Sequence, residues 1–354
     1  MFFSESGTRN FRNLEIGRIK WDRKLNLLIG PNGAGKTNIL ESLHILTGWG
    51  PFKSLRKSPL LNWDSDESRG FLEGTFEGEE DVLVQSSVTS RCAMKCDGKR
   101  SNCASIRFRV PALAFLPGDL ALIEGGPSVR RRFLDVLCAL LYPIYALKLT
   151  EYRRAVRHKR ALLSEGRSTE LIDSVMAPMA EWIWTCREKA SLAVTMGLES
   201  FSDLLPGPIE LALSRGGIGL AGNNPIGYIE GVRSRRRAEI GSGRPLVGPH
   251  RDDLTIDASG MEASSRFSRG QRRRTSLAMV MAAGWAVERK LRRSPILLLD
   301  EVASELDQSG RDITVDTLVS SGWQIFAATA EDDLIRWPGS LWTVREGRIT
   351  RREE

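Results

Sequence analysis

Hydrophobic and polar positions change their rhythm twice along the chain. The first third reads as short strands broken by turn residues. Leu25–Ile29 is an apolar run without alternation, the pattern of a strand buried on both faces. Gly70–Phe76, Val82–Val88 and Pro111–Phe115 are further candidates. From about Val129 to Leu204 helix formers dominate and strand patterns vanish. Tyr142, Tyr145, Leu149, Tyr152 and Val156 step by three and four, which predicts one helical face. Leu171, Val175, Met179, Trp182 and Cys186 predict a second. Between them Glu165-Gly166-Arg167-Ser168 predicts a turn with Ser168 as helix N-cap. After about Pro245 the α/β rhythm returns: a strand at Leu254–Ile256, a long helix over Ser268–Leu291, an apolar strand at Ile296–Leu299, a helix, and a strand at Gln324–Ala328. The pattern predicts an α/β head (1–125 and 241–354) split by a helical hairpin, an inserted arm lobe at 126–240. No internal repeat interrupts it.

Composition narrows the class. The 354 residues are 41% hydrophobic and 27% charged, ordinary for a globular chain, which excludes disordered and fibrous architectures. The formal charge of +7 is concentrated in arginine clusters at Arg130–Arg132, Arg235–Arg237 and Arg272–Arg274, which permits an anionic partner such as nucleic acid. No segment reaches the ~18 consecutive apolar residues of a membrane helix, and Met1–Glu5 lacks a signal-peptide start, so no membrane association is expected. Five scattered cysteines suit a reducing cytoplasm, and Cys92, Cys96 and Cys103, with no fourth ligand nearby, read as ordinary thiols.

Three motifs carry chemistry. Gly30-Pro31-Asn32-Gly33-Ala34-Gly35-Lys36-Thr37 fits G-x-x-x-x-G-K-[ST] between a strand and a helix. Its glycines let backbone N–H groups curl around phosphate oxygens at a helix N-terminus. Lys36 is then placed for the β/γ-phosphates of ATP and Thr37 for Mg²⁺. Ile296–Leu299 ends in Asp300-Glu301. Asp300 is the second candidate for Mg²⁺, and Glu301 the candidate general base toward a water. A strand ending in two carboxylates is common by itself and gains meaning from the first motif. The third motif is Ser268-Arg269-Gly270-Gln271 at the start of the long helix. A capping role explains Ser268 alone, but not a glycine in the first turn.

The order of these motifs is that of ABC-type ATPases, in which Ser-x-Gly-Gln of one subunit completes the nucleotide site of another. The expectation is therefore an ABC-type P-loop head that forms an ATP-dependent homodimer. Ala303-Ser304-Glu305-Leu306-Asp307 looks like the dimer-contacting loop of that class. The stretch from Thr37 to Ser268 is much longer than the helical subdomain of transporter ATPases. The transporter switch histidine is also absent: the corresponding strand ends Phe326-Ala327-Ala328-Thr329, leaving Thr329 as the γ-phosphate candidate. A transporter subunit and a binding module that uses ATP only to dimerise are the competing readings.

Beyond these motifs the chain resembles the RecF family of bacterial recombination mediators and DNA-repair ATPases, nearly end to end. The resemblance rests on Asn10-Phe11-Arg12-Asn13, Gly30–Asn38 with Leu40-Glu41, Phe115–Leu120, Ile123–Gly126, Arg130–Asp135, Val247–Leu254, Ser268–Gln271 and Asp300–Asp307. It departs at Gly118, where the family more often has an acidic residue, and at Lys53–Arg56. The resemblance implies Asn38 in the ATP site, Asp307 at the dimer contact, slow DNA-stimulated hydrolysis, and binding to single-stranded DNA, double-stranded DNA and their junctions. It also implies work with RecO and RecR in loading RecA during replication, recombinational repair and the SOS response. Arg130, Arg131, Arg233, Arg235, Arg236 and Arg237 are the residues expected to meet DNA phosphates. No element that reads base edges is evident, so binding should be salt-sensitive and weakly sequence-specific.

Overall fold

The computed structural model describes residues 1–15, 17–52, 60–62, 65–89, 92–220, 226–301, 306–330 and 337–352. The expected features at Lys53–Arg56 and Ala303–Glu305 lie outside the described residues. The chain forms two compact units, Met1–Asp119 with Arg269–Glu354, and Leu120–Ser268.

The first unit is the head. Its central sheet runs in the order Arg348–Arg351, Ser340–Arg345, Leu25–Ile29, Gln324–Thr329, Ile296–Leu299, Ala112–Phe115. The last five strands are parallel and the first closes an antiparallel hairpin. All five residues of Leu25–Ile29 are buried, as are all of Ile296–Leu299 and Gln324–Thr329, which explains why none of these strands alternates. A second, antiparallel sheet contains Phe2–Arg9, Gly70–Glu77, Val82–Val88 and Cys92–Cys96. There Gly70–Glu77 and Val82–Val88 do alternate. The helix Lys36–Leu46 packs on strands of both sheets. Aromatic edges weld the layers: Trp21 meets Phe326 at 5.1 Å and Trp342 at 4.9 Å between ring centres. Registers that pair Leu299 with Ala327 and Thr329 with Ile29 bring Gly30, Asp300 and Ala330 to the same carboxyl edge of the sheet, where α/β folds place their ligands.

The second unit is a lobe of helices and one small sheet. Helices Pro127–Leu141, Tyr145–Ser164, Glu170–Leu198 and Tyr228–Ser242 accompany strands Glu210–Arg215, Gly219–Leu220 and Asp253–Asp257. Asp253–Asp257 pairs with Glu210–Arg215, not with a strand of the head. The lobe therefore extends to Ser268, beyond the 126–240 expected from the return of the α/β rhythm.

The hairpin helices form as expected, but their buried faces differ. Tyr145, Leu149 and Tyr152 are buried. On the second helix the expected stripe holds only toward its end: Leu171 and Val175 are exposed, Met179 and Trp182 are half-buried and Cys186 is buried, while Asp173, Met176, Ala180, Ile183, Trp184 and Arg187 also face inward. The inward face is partly ionic, so an apolar periodicity misses it. The helix cap also moves by one residue. Thr169 is the N-cap; its hydroxyl donates to Asp173 at 2.8 Å, and the Ser168 hydroxyl accepts weakly from the Glu170 amide at 3.4 Å.

A buried polar network fills the lobe. Arg187 donates to Asp252 at 2.5 Å, to Asp135 at 2.8 Å and to the Pro249 carbonyl at 2.6 Å. Asp252 also accepts from the Trp184 indole and the Gly216 amide, each at 2.8 Å. Lys159, fully buried, lies 2.8 Å from Asp173 and 2.7 Å from Glu239. His250 pairs with the Tyr152 hydroxyl at 2.8 Å, and burial pulls its pKa down to about 4, so it is neutral at pH 7. Nearly every polar residue of the distinctive Val247–Leu254 block is thus engaged in holding the lobe together.

The same network engages two of the arginines expected to meet DNA. Arg130 is 6% exposed and grips Asp253 with two bonds of 2.7 and 2.8 Å. Arg131 donates to the Asp252 carbonyl at 2.6 Å. Both are internal ties, and only Arg132 of the triplet is exposed. Three successive helical residues point ~100° apart, so an arginine run cannot present one face.

Candidate nucleotide site

The loop from Gly30 to Gly35 leaves the strand Leu25–Ile29 and enters the helix at Lys36. Gly33 and Gly35 have φ of 82° and 113°, left-handed values that side chains resist. The loop is braced from outside. Asn13 accepts from the Asn38 amide at 2.7 Å and donates to the Gly33 carbonyl at 3.3 Å. Next to it, Arg12 makes a two-bonded ion pair with Glu41 at 2.8 and 3.1 Å, and Glu41 also accepts from the Phe52 amide. The Asn10–Asn13 block and Glu41 therefore act as a frame for the loop.

The turn of the last hairpin braces the other side. Gly347 donates its amide to the Ala34 carbonyl at 2.9 Å, and its own carbonyl accepts from the Glu15 amide at 3.0 Å. Its φ is 79°, and an added Cβ would lie 1.7 Å from the Asn13 carbonyl oxygen. Gly347→Ala should cost about 2–4 kcal/mol through overlap and left-handed strain, and should weaken nucleotide binding with it. Thermal melting and nucleotide titration check this; an unchanged melting temperature contradicts the brace.

A cleft of about 270 Å³ opens above the loop. Asn32, Gly33 and Gly35 to Asn38 line one side, and Asp300, Glu301 and Ala330 line the other. Lys36 is buried, with its ammonium 2.6 Å from the Gly30 carbonyl and 3.0 Å from that of Pro31. Burial lowers its pKa, while Asp300 and Glu301 act in the opposite direction. The Thr37 hydroxyl donates to the Asp300 carboxylate at 2.8 Å. Burial raises the Asp300 pKa, opposed first by that hydrogen bond and then by Lys36. Two hard oxygen donors thus converge beside a lysine and a ring of amides. Mg²⁺ commonly takes one or two protein oxygens and completes its shell with phosphate and water, so this donor set suits it.

Glu301 is exposed to the cleft and carries φ of 55°, unusual for a residue with a side chain. Such strain concentrates where a side chain must be aimed. Its carbonyl accepts from the Arg273 guanidinium, which is 2% exposed and lies 5.9 Å above the Phe115 ring. Arg273, the middle residue of its arginine cluster, thereby ties the Ser-x-Gly-Gln helix to the end of the Asp-Glu strand. The only clue in the sequence was its place two residues after Gln271.

The remaining expected residues fall as follows. Pro31 is exposed, and Gly30 and Ala34 are buried in the loop. Gly270 and Gln271 occupy the first turn of Arg269–Leu291 and do not line this cleft; Ser268 is exposed just before that helix. Asp307 caps the helix Gln308–Ser320 by accepting from the Gly310 amide at 2.8 Å, and it remains exposed. Thr329 is 4% exposed, while its neighbour Ala330 lines the cleft. On the lobe helix Tyr228–Ser242, Arg233, Arg235 and Arg237 are exposed, whereas Arg236 reaches toward Glu170 at 3.5 Å and Asp173 at 3.7 Å.

Comparison with known proteins places this architecture. The family model of the RecF/RecN/SMC N terminal domain matches residues 5–348. The DNA replication and repair protein RecF of Bacillus cytotoxicus is 28% identical over 94% of this chain and 93% of its own. That of Geobacillus thermodenitrificans is 28% identical over 99% of both. A solved structure of the recombination mediator protein RecF-ATPrS in the RecFOR pathway superposes with a TM-score of 0.85 at 21% identity, covering 99% of this chain and 98% of that one. An Smc head bound to the C-winged helix domain of ScpA superposes at 0.60 and 16% identity, covering 100% and 98%. The family model spans nearly the whole chain, and the chain belongs to the RecF/RecN/SMC N terminal domain family.

Proposed function

We propose that this chain is an ATP-driven, dimeric DNA-binding ATPase of replication and recombinational repair, acting in the cytoplasm. The observation that carries the reading is the convergence of Lys36, the Thr37–Asp300 pair and Glu301 on one cleft. The loop amides and Lys36 bind the phosphates of ATP. Thr37 and Asp300 would hold Mg²⁺, which would supply the positive charge that offsets the phosphates. Glu301 accepts the proton of the attacking water. Gly270 and Gln271 stand apart from this cleft and, with Ser268, complete the site of a second copy, with Asp307 at the contact. Exposed Arg233, Arg235 and Arg237 supply phosphate contacts to DNA. With RecO and RecR as partners, the dimer assists RecA loading at single-strand/double-strand junctions, and DNA speeds its slow turnover.

Sizing by light scattering, with and without ATP and gapped DNA, tests the reading. A monomer without ATP and a dimer with it is the expected result; a monomer throughout contradicts it. Lys36→Ala should abolish both nucleotide binding and the ATP-driven dimer, because no other lysine lines the cleft among the described residues. A Lys36→Ala chain that still dimerises with ATP would sink the assignment.

A further inference from the structure

We infer that the outer face of the first hairpin helix, Tyr145–Ser164, is a phosphate-binding stripe for DNA, formed by Arg154, Arg157 and Arg160. The inference rests on the DNA-binding reading above and extends it to a surface that the arginine triplets did not mark.

The helix divides cleanly. Tyr145, Leu149, Tyr152, Ala155, Lys159 and Leu163 are buried. Arg153, Arg154, Arg157, His158 and Arg160 are exposed. At 100° per residue, Arg153, Arg154, Arg157 and Arg160 share one face about a third of the helix circumference wide. Arg157 and Arg160 lie on successive turns, and Arg154 flanks them one turn earlier.

A solvated basic face normally carries acidic residues one turn away, which relieve like-charge repulsion. Here no Asp or Glu occurs between Glu151 and Glu165, a stretch that holds Arg153, Arg154, Arg157, Lys159 and Arg160. The flanking acids are engaged, Glu151 with Lys148 and Glu165 with Arg167. Arg153 pairs with Asp135 and Lys159 with Asp173 and Glu239, so their charges are already answered. Arg154, Arg157 and Arg160 have no carboxylate within ion-pair distance among the described residues. The helix thus holds three unneutralised guanidinium groups on a rod anchored by Lys159 and Tyr152.

Guanidinium forks suit phosphate oxygens, and a rigid helix sets them at fixed intervals. From Arg154 to Arg160 the helix rises ~9 Å, close to the ~10 Å of three base steps along one DNA strand. The uncharged exposed residues of this helix are Leu147, Thr150, Ala161 and Ser164, and Leu147 alone is large and apolar, which falls short of the contiguous apolar patch of a protein interface. The partner that fits is the DNA backbone, with no base readout.

The test is the salt dependence of binding. Full-length protein with ATP and Mg²⁺ is titrated with fluorescent duplex and gapped DNA across a range of sodium chloride concentrations. Each phosphate contact contributes ~0.9 to the slope of log K against log salt. Arg154→Gln/Arg157→Gln/Arg160→Gln should lower that slope by about 2.7 and weaken binding at least about tenfold at low salt. The corresponding triple lysine variant should keep most of the slope. Arg157→Gln alone should lower it by about 0.9, which keeps the test decisive if the triple variant folds poorly. Nucleotide binding, measured on the same samples, should be unchanged, since none of the three lines the nucleotide cleft. A wild-type slope in the glutamine variants overturns the stripe alone. A wild-type chain that binds no DNA overturns the functional reading and the stripe with it.

Discussion

Replacing Arg187 with Met is expected to destabilise the lobe by about 3–5 kcal/mol, the usual cost of leaving buried partner charges unanswered. Arg187 is 1% exposed and Asp252 is fully buried, so water cannot take the place of the guanidinium. Asp252 would keep the Trp184 and Gly216 hydrogen bonds but lose its cation, and Asp135 would keep Tyr145 and Arg153. Burial already holds the Asp252 pKa above the ordinary carboxylate value, with Arg187 the main opposing influence. Removing Arg187 moves that pKa further up. A carboxyl whose folded pKa lies above its unfolded value binds more protons in the native state. Its penalty is therefore relieved as pH falls through the folded pKa toward the unfolded one. The deficit of the Met variant should shrink on acidification and should be largest at neutral pH. Adding Asp252→Asn should recover part of it, because the amide needs no counter-charge. Urea unfolding followed by tryptophan fluorescence reads the effect; a loss below ~1 kcal/mol at pH 7 would mean the network is not what holds the lobe.

The head was legible because its signals are local. Gly30–Thr37, the apolar run before it and the Asp300-Glu301 pair each occupy contiguous positions, and the parallel sheet brings them together. The lobe was less legible for two physical reasons. Its central helix buries Asp173 and Arg187, so apolar periodicity chose the neighbouring stripe, from which Leu171 and Val175 turn out to be exposed. And consecutive arginines were read as patches, although a helix sends them in different directions. Arg130 goes to Asp253, Arg131 to a backbone carbonyl, and Arg273 to the carbonyl of Glu301. Arg154, Arg157 and Arg160 are spread over two turns and form no run in the sequence. Pairing across elements, such as Asp253–Asp257 with Glu210–Arg215, leaves no trace in either segment alone.

Glu301→Gln is expected to lower ATP turnover by about 10²–10⁴-fold while nucleotide binding persists. The two side chains have nearly the same shape, and the substitution leaves the φ of 55° and the carbonyl held by Arg273 as they are. What is lost is the ability to take a proton from water. Lys36, Thr37 and Asp300 remain in place to hold the nucleotide, so an ATP-bound dimer should accumulate. Single-turnover phosphate release and light scattering on the same sample separate the two effects. Lost turnover with a long-lived dimer means that hydrolysis is what releases the partners. Turnover close to wild type would remove Glu301 from the chemistry. If instead the wild-type chain hydrolyses no ATP even with gapped DNA, ATP serves dimerisation alone. Arg273→Ala supplies the complementary test: with the carboxylate intact but its backbone unheld, turnover should fall less than in Glu301→Gln, because the base is mis-aimed and not removed.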